Sequence, residues 1–236
     1  LISRTVAWAL TGTPVENQSV SALAYSGSEI FAATRGKGIY KSGIYSDYWT
    51  QQNNGLTDYH IKTLSVVGTN LFAVTYSGLY RSSDNGAHWV HIIVGMEKTR
   101  AVCFANDDSF LFAGADPGGG YRTADEGSTW LPVNAGTFPN HYSRSLMATD
   151  SAIFSGTLTG IYRTTNHGTS WTELNNSATY GFAKLGTYIF AAAYGDGILR
   201  SNDFGDSWES ANNGLTDSVV LDFTTSGSIL FAGTGQ

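Results

Sequence analysis

Two carboxylates and three cations are the residues of this sequence with the most chemistry to offer. Glu97, in the segment IVGMEK (93–98), and Asp116, in DPGGG (116–120), fall on two loops of one repeat unit. Paired carboxylates at about 5 Å or about 6.5–9.5 Å are what glycoside hydrolysis needs; solvated loop acids are the plainer reading. Aligning the first strand of every unit on its apolar residue puts Ser21, Lys62, Arg100, Arg144, Tyr180 and Leu221 at one position. Three successive units then bring a cation to one mouth, where a guanidinium suits an anion or a salt bridge. The loop tyrosines Tyr59, Tyr76, Tyr142 and Tyr194, with Arg35 and Lys37, offer faces for a sugar ring or a protein surface. Cys103 stands alone in AVCFA (101–105) and reads as a small buried hydrophobe. The histidines (60, 88, 91, 141 and 167) have no metal-ligand spacing, and no phosphate loop or dinucleotide fingerprint occurs, so no metal or cofactor is expected.

The elements that must carry these residues follow from composition. Of 236 residues, 14% are charged, below the ~25% of an average chain, while 13% are aromatic and 28 are Gly. Such a chain is turn-rich and all-β. A net charge of −6 without a basic run excludes nucleic acid as the expected partner. No apolar stretch approaches the ~18 residues of a spanning helix, so no membrane insertion is expected. A start at Leu1 with no signal peptide reads as a mature or excised chain.

Tryptophans 8, 49, 89, 130, 171 and 208 are spaced by 41, 40, 41, 41 and 37 residues. In phase with them run IFAAT (30–34), LFAVT (71–75), LFAGA (111–115), IFSGT (153–157), IFAAA (189–193) and LFAGT (230–234). A third series follows glycine: GIYKS (38–42), GLYRS (78–82), GYRT (120–123), GIYRT (160–164) and GILRS (197–201). A period of ~40 residues with four short strands per unit selects a β-propeller. The expectation is one all-β domain, residues 1–236: a six-bladed β-propeller of four-stranded antiparallel blades at 15–52, 56–92, 97–133, 140–174, 178–211, and 217–236 plus 1–10. LISR (1–4) and Trp8 would complete the unit that stops at LFAGTGQ (230–236), so that N- and C-terminal strands share the last blade and leave no open edge.

Four hairpins share Ser/Thr-x-Asp/Asn-x-Gly-x-x-Trp: SSDNGAHW (82–89), TADEGSTW (123–130), TTNHGTSW (164–171) and SNDFGDSW (201–208). The carboxylate or amide accepts turn N–H groups, the glycine takes positive φ, and the indole packs back over the turn. This pattern resembles the Asp-box, or bacterial neuraminidase, repeat of sialidases, some endoglucanases and xyloglucanases, sortilin-type propellers and photosystem II assembly factors. The resemblance implies a propeller in which Asp84, Gly86, Trp89, Asp125, Gly127, Trp130, Asn166, Gly168, Trp171, Asp203, Gly205 and Trp208 are structural staples, on the face away from any site. SGIYSDYW (42–49) departs from the motif, and the hairpin at 1–8 lacks it. The cation trio is similar to the arginine cluster with which sialidases hold a carboxylate, but the Arg-Ile-Pro motif of that family is absent and one of the three is Lys.

The repeat of NNGLTD at 53–58 and 212–217 marks a recurring turn, since an asymmetric active site needs loops that differ. The remaining B–C and D–A loops, between the second and third strands and between blades, are short. The periodic Lys41, Arg81, Arg122, Arg163 and Arg200 read as packing between blades. These features lead to a non-catalytic binding or interaction propeller, glycan- or protein-binding, monomeric, and a secreted, cell-surface or periplasmic module of bacterial type. The alternative is a glycoside hydrolase of sialidase or glucanase type, using Glu97 and Asp116. Ligand residues on either reading are Arg35, Tyr76, Tyr194, Lys62, Arg100 and Arg144.

Overall fold

A computed structural model describes residues 18–46, 48–92, 95, 100–107, 109–116, 118–133 and 142–235. Among them every regular element is a β-strand. The chain divides into two compact units, residues 1–91 and 92–236.

The first unit holds two sheets. One runs β1 (Val20–Ser26), β2 (Glu29–Thr34), β3 (Ile39–Gly43) and β4 (Thr50–Gln51); the other runs β5 (Thr63–Val67), β6 (Asn70–Val74), β7 (Leu79–Ser82) and β8 (Val90–Ile92), whose last residue crosses the unit boundary. The second unit continues with β9 (Arg100–Asn106), β10 (Leu111–Asp116), β11 (Gly119–Thr123) and β12 (Leu131–Pro132). Its next sheet is β13 (Ser143–Thr149), β14 (Ala152–Thr157), β15 (Ile161–Thr164) and β16 (Thr172–Asn175). Then come β17 (Thr179–Leu185), β18 (Tyr188–Ala193), β19 (Gly197–Ser201) and β20 (Glu209–Ser210), and finally the pair β21 (Val220–Ser226) and β22 (Ile229–Thr234). All five four-stranded sheets are antiparallel meanders in sequence order. The sixth sheet has two strands among the described residues, and the expected closing segment 1–10 lies outside them.

First strands lie beside one another from sheet to sheet: β1 against β5 in the first unit, β13 between β9 and β17, and β17 against β21 in the second. In the five four-stranded sheets the second strands are the most buried. β6 and β14 are buried at every position, which is why their sequences have no polar alternation. Small residues there are a steric demand: a Cβ on Gly156 would meet the Thr179 carbonyl at 2.8 Å. Phe31, Phe72, Phe112 and Phe154, one per sheet, are 0–1% exposed, each contributing about 1.5–3 kcal/mol of burial. Phe31 joins Ile39, Leu64, Tyr80 and Trp89 in the core of the first unit. In the second, Phe112 packs with Ile153 and Trp171, and Phe154 with Ile189. The fold class is all-β and propeller, built of six repeated sheets.

Candidate functional site

The meander sorts its connections to two edges. First-to-second-strand turns and third-to-fourth-strand hairpins lie at one edge; B–C and D–A loops lie at the other.

At the hairpin edge four turns repeat one hydrogen-bond scheme. In SSDNGAHW the Ser82 hydroxyl donates to Asp84 Oδ1 (2.7 Å), the Gly86 N–H donates to Ser82 Oγ (2.9 Å), and the His88 N–H donates to Asp84 Oδ1 (2.8 Å). Thr123/Asp125, Thr164/Asn166 and Ser201/Asp203 do the same. Two successive residues take positive φ in each turn, as in Asn85 (57°) with Gly86 (84°) and Phe204 (63°) with Gly205 (89°), where the sequence assigned it to glycine alone. That pair of left-handed residues makes a tight turn inside the hairpin loop, closed by the Ala87 N–H donating to the Asp84 carbonyl at 3.3 Å. The Asp125 pKa falls to about 2 because the Thr123 hydroxyl and then Thr129 donate to it. Asp203 also falls to about 2, chiefly through Ser207.

These hairpins also bind neighbouring sheets. Trp89 Nε1 donates to the Gln52 carbonyl and Trp171 Nε1 to that of Val133, both 2.9 Å, in the preceding sheet; Trp130 donates to its own Gly127. Arg163 donates to the Phe204 carbonyl at 2.6 Å, and Arg122 to that of His167, so two of the periodic cations reach the next hairpin. Trp208 is the exception, its buried Nε1 having no partner among the described residues.

At the loop edge the repeated NNGLTD segments act alike. Asn53 Oδ1 accepts the Ile39 N–H (2.8 Å) and its Nδ2 donates to the Lys37 carbonyl (2.9 Å); Asn212 treats Ile198 (2.7 Å) and Asp196 (2.7 Å) identically. Each asparagine pins a B–C loop to the D–A loop behind it. Asp58 accepts from the His60 N–H and from the Ser77 N–H, each at 2.9 Å; burial pushes its pKa up, but these bonds outweigh it and the net shift is downward.

The inner strands carry a recurrent β-bulge. Ser21, Arg144, Tyr180 and Leu221 are each skipped in the pairing of their strand. Lys62 holds the same place: its N–H donates to the Val74 carbonyl, and Thr63 also faces Val74. In β9 the skipped residue is Val102, while Arg100 pairs with Asp116 two positions earlier. The expected trio of cations is therefore corrected: Arg100 is not equivalent to Lys62 and Arg144. Alignment on the apolar residue slipped by two in a strand where Ala101, Val102, Cys103 and Phe104 all look suitable. A fixed count would have found the place. Ser21, Lys62, Arg144, Tyr180 and Leu221 each precede by nine Ile30, Leu71, Ile153, Ile189 and Leu230, and nine before Leu111 is Val102.

In the second unit Val102, Arg144, Tyr180 and Leu221 converge with Tyr142 on a cavity of about 330 Å³. The Arg144 guanidinium carbon sits 4.5 Å from the Tyr180 ring centre and 5.3 Å from that of Tyr142. Tyr194, 54% exposed, packs against Tyr180 with ring centres 5.3 Å apart. Arg144 is exposed and makes no ion pair among the described residues. The first unit repeats the device on its own loop edge: Lys62 Nζ lies 4.4 Å from the ring centre of exposed Tyr76, whose edge meets His60 at 5.7 Å. Arg35, exposed, pairs across a bridge with His60, and the Tyr59 carbonyl accepts the Gly36 and Gly38 N–H groups.

Of the two candidate acids, Glu97 lies outside the described residues and Asp116 ends β10, half-buried. Each carboxylate in the described residues with a resolved pKa shift moves down. The Cys103 thiol lies beside Gly114 and donates to the Ser143 carbonyl (3.5 Å), and burial pushes its pKa up to about 12, which disfavours the thiolate.

No family model and no curated protein matches the sequence. Solved structures do match by shape. The extracellular domain of BT4673 from B. thetaiotaomicron aligns over 97% of this chain with a TM-score of 0.77 at 14% identity, and 33% of that protein is covered. An ancestral GH74 enzyme aligns over 95% of this chain (TM-score 0.74, 15% identity, 36% of that chain). YCF48 bound to D1 peptide aligns over 92% (TM-score 0.68, 16% identity, 76% of that chain). The chain thus spans about a third of the length of the first two. At such identities the likeness shows the fold, and these β-propellers include both a hydrolase and extracellular or peptide-bound domains.

Proposed function

We propose that this chain is a non-catalytic binding propeller of the Asp-box kind, displayed outside the cytoplasm, that takes a glycan or protein ligand on its B–C and D–A loop edge. The observation that carries the reading is the cation–tyrosine pairing at that edge. Arg144 lies against Tyr180 and Tyr142, and Lys62 lies over Tyr76, with exposed ring faces beside both. Aromatic faces with fixed cations form a recognition surface. The BT4673 domain is extracellular and YCF48 is bound to a peptide, which agrees with a binding module outside the cell.

The test is a glycan and peptide array run beside a panel of chromogenic glycosides. Binding without turnover, weakened about tenfold by Tyr76→Ala or Tyr194→Ala, is the expected result. Turnover abolished by Asp116→Asn or Glu97→Gln would replace this reading with the glycoside hydrolase.

A further inference from the structure

We infer that His167 and Asp107 form a proton-operated clamp between two sheets of the second unit, β9–β12 and β13–β16: protonating the imidazole tightens that junction, and losing the proton loosens it.

The residue before the glycine stands at one recurring station of the stapled hairpins. Asn85, His167 and Phe204 take left-handed φ there (57°, 55° and 63°), and each side chain reaches back to the preceding sheet. In the first unit Asn85 donates its amide to Glu29 Oε2. In the second, Phe204 meets Phe154 edge-on with ring centres 5.4 Å apart. His167 puts a titratable ring at the same station, its Nδ1 2.7 Å from Asp107 Oδ2. A histidine ordinarily changes charge near pH ~6.5, which neither an amide nor a benzene ring does.

The carboxylate is built to wait for that charge. Asp107 directly follows β9, and its Oδ1 accepts the Ser109 and Phe110 N–H groups, each at 2.8 Å, which fixes the group with Oδ2 on His167. Burial pushes the Asp107 pKa up, but the His167 hydrogen bond and the two N–H donors outweigh it and the net shift is downward. Asp107 is therefore ionised across the range in which a histidine titrates. A bond to a carboxylate is stronger from an imidazolium than from a neutral ring. Arg122, on β11, is the cation against this turn. It donates to the His167 carbonyl, and its guanidinium carbon lies 4.6 Å from the centre of Phe110, the ring that also meets the imidazole at 5.4 Å. Its charge is taken up by a carbonyl and a ring face.

The clamp adds a titratable bond to a junction otherwise made by Phe112 packing on Ile153, Tyr162 and Trp171, and by the Trp171 indole on the Val133 carbonyl. It holds the turn that ends β9, the strand of Val102, to the sheet of Arg144, so it bears on two walls of the cavity. The stability it adds is whole at about pH 5–6 and is lost as pH rises through the histidine range. With the His167 side chain 51% exposed, the effect is modest.

The full chain is compared with His167→Asn, which puts the first unit's residue at this station and tolerates left-handed φ, and with Asp107→Asn, which keeps an acceptor for the turn. The readouts are thermal unfolding and amide hydrogen exchange at pH 5.5 and 7.5. The parent should melt about 2–4 °C above His167→Asn at pH 5.5, and the gap should shrink to about half or less at pH 7.5. Asp107→Asn should show the same reduced pH response, and the double variant should add little to it. The other histidines are common to parent and variants, so the difference isolates this pair. Exchange at pH 5.5 should quicken about fivefold or less in β9, β10 and the 164–171 hairpin of His167→Asn, and stay unchanged in β17–β20. An NMR titration of the parent needs no variant to fold: the amide signals of 107–110 should shift together with the His167 ring. A melting gap equal at the two pH values or larger at pH 7.5, exchange that changes equally in every sheet, or amides at 107–110 that ignore the His167 titration would overturn the inference. None of these measurements involves a ligand, so its failure would leave the binding reading standing.

Discussion

The hairpin edge and the bulges of the inner strands are both periodic, but in opposite senses. At the hairpins the residue types recur: a hydroxyl, then Asp or Asn, then Gly, then Trp, with one hydrogen-bond scheme four times over. At the bulges the backbone recurs and the side chains do not: Ser21 and Lys62 in the first unit, Val102, Arg144, Tyr180 and Leu221 in the second. A repeated residue solves a problem every sheet has, which is how to turn and where to lodge an indole. A repeated conformation with varied residues solves a problem that exists once, such as a ligand. In a repeat protein, then, function is sought where the backbone repeats and the sequence stops repeating.

Substitutions on the two sides should separate cleanly. The largest effect is expected for Trp130→Ala. Its side chain is 2% exposed and hydrogen-bonded to the Gly127 carbonyl. The loss should be about 3–5 kcal/mol in a urea titration. Next comes Asp84→Ala, which leaves the Ser82 hydroxyl and His88 N–H to water and should cost about 1 kcal/mol, with no change in any ligand affinity. The tryptophans then sharpen the rule. Trp171→Phe gives up a hydrogen bond to Val133 and should cost about 1 kcal/mol more than Trp208→Phe, whose parent N–H has no partner to lose. Equal costs would mean that the inter-sheet bond contributes nothing.

A smaller effect concerns acid. The Asp125 pKa is depressed to about 2 from 3.8, so the folded state holds its proton less tightly than the unfolded chain. The stability this contributes is whole above pH about 4 and is lost as pH falls toward 2; exposure keeps it modest. Asp125→Asn, keeping an acceptor oxygen, should reduce the fall of the melting temperature between pH 4 and 2 while Asp203 keeps its share, and the fourth sheet, with Asn166, already lacks this titration. The smallest expected effect is on the other side of the comparison. Arg144→Gln should leave the urea midpoint unchanged while altering ligand binding, because the side chain has only ring contacts to lose. A stability loss like that of Asp84→Ala would make Arg144 another staple.

The sequence by itself determined the all-β repeat, the hairpin chemistry and the recurrence of the NNGLTD turn. These depend on contacts between residues close in the chain or on a fixed period: Asp84 reaches His88 four residues on, and Asn53 reaches Ile39 fourteen back. It also marked Lys62, Arg144 and Tyr180 as non-periodic residues on inner strands. Tertiary structure alone decided which residue each inner strand thrusts out. A bulge inserts one residue between two pairs, and an alternating apolar pattern cannot locate it, so Arg100 was aligned where Val102 belongs. Nor could the sequence tell that Arg144 lies over the Tyr180 ring with no ion pair among the described residues while Arg163 is spent on the Phe204 carbonyl. Two arginines on the first and third strands of one sheet look alike in sequence; the sheet packed against each, and the partner it brings, sets what the guanidinium has left to offer.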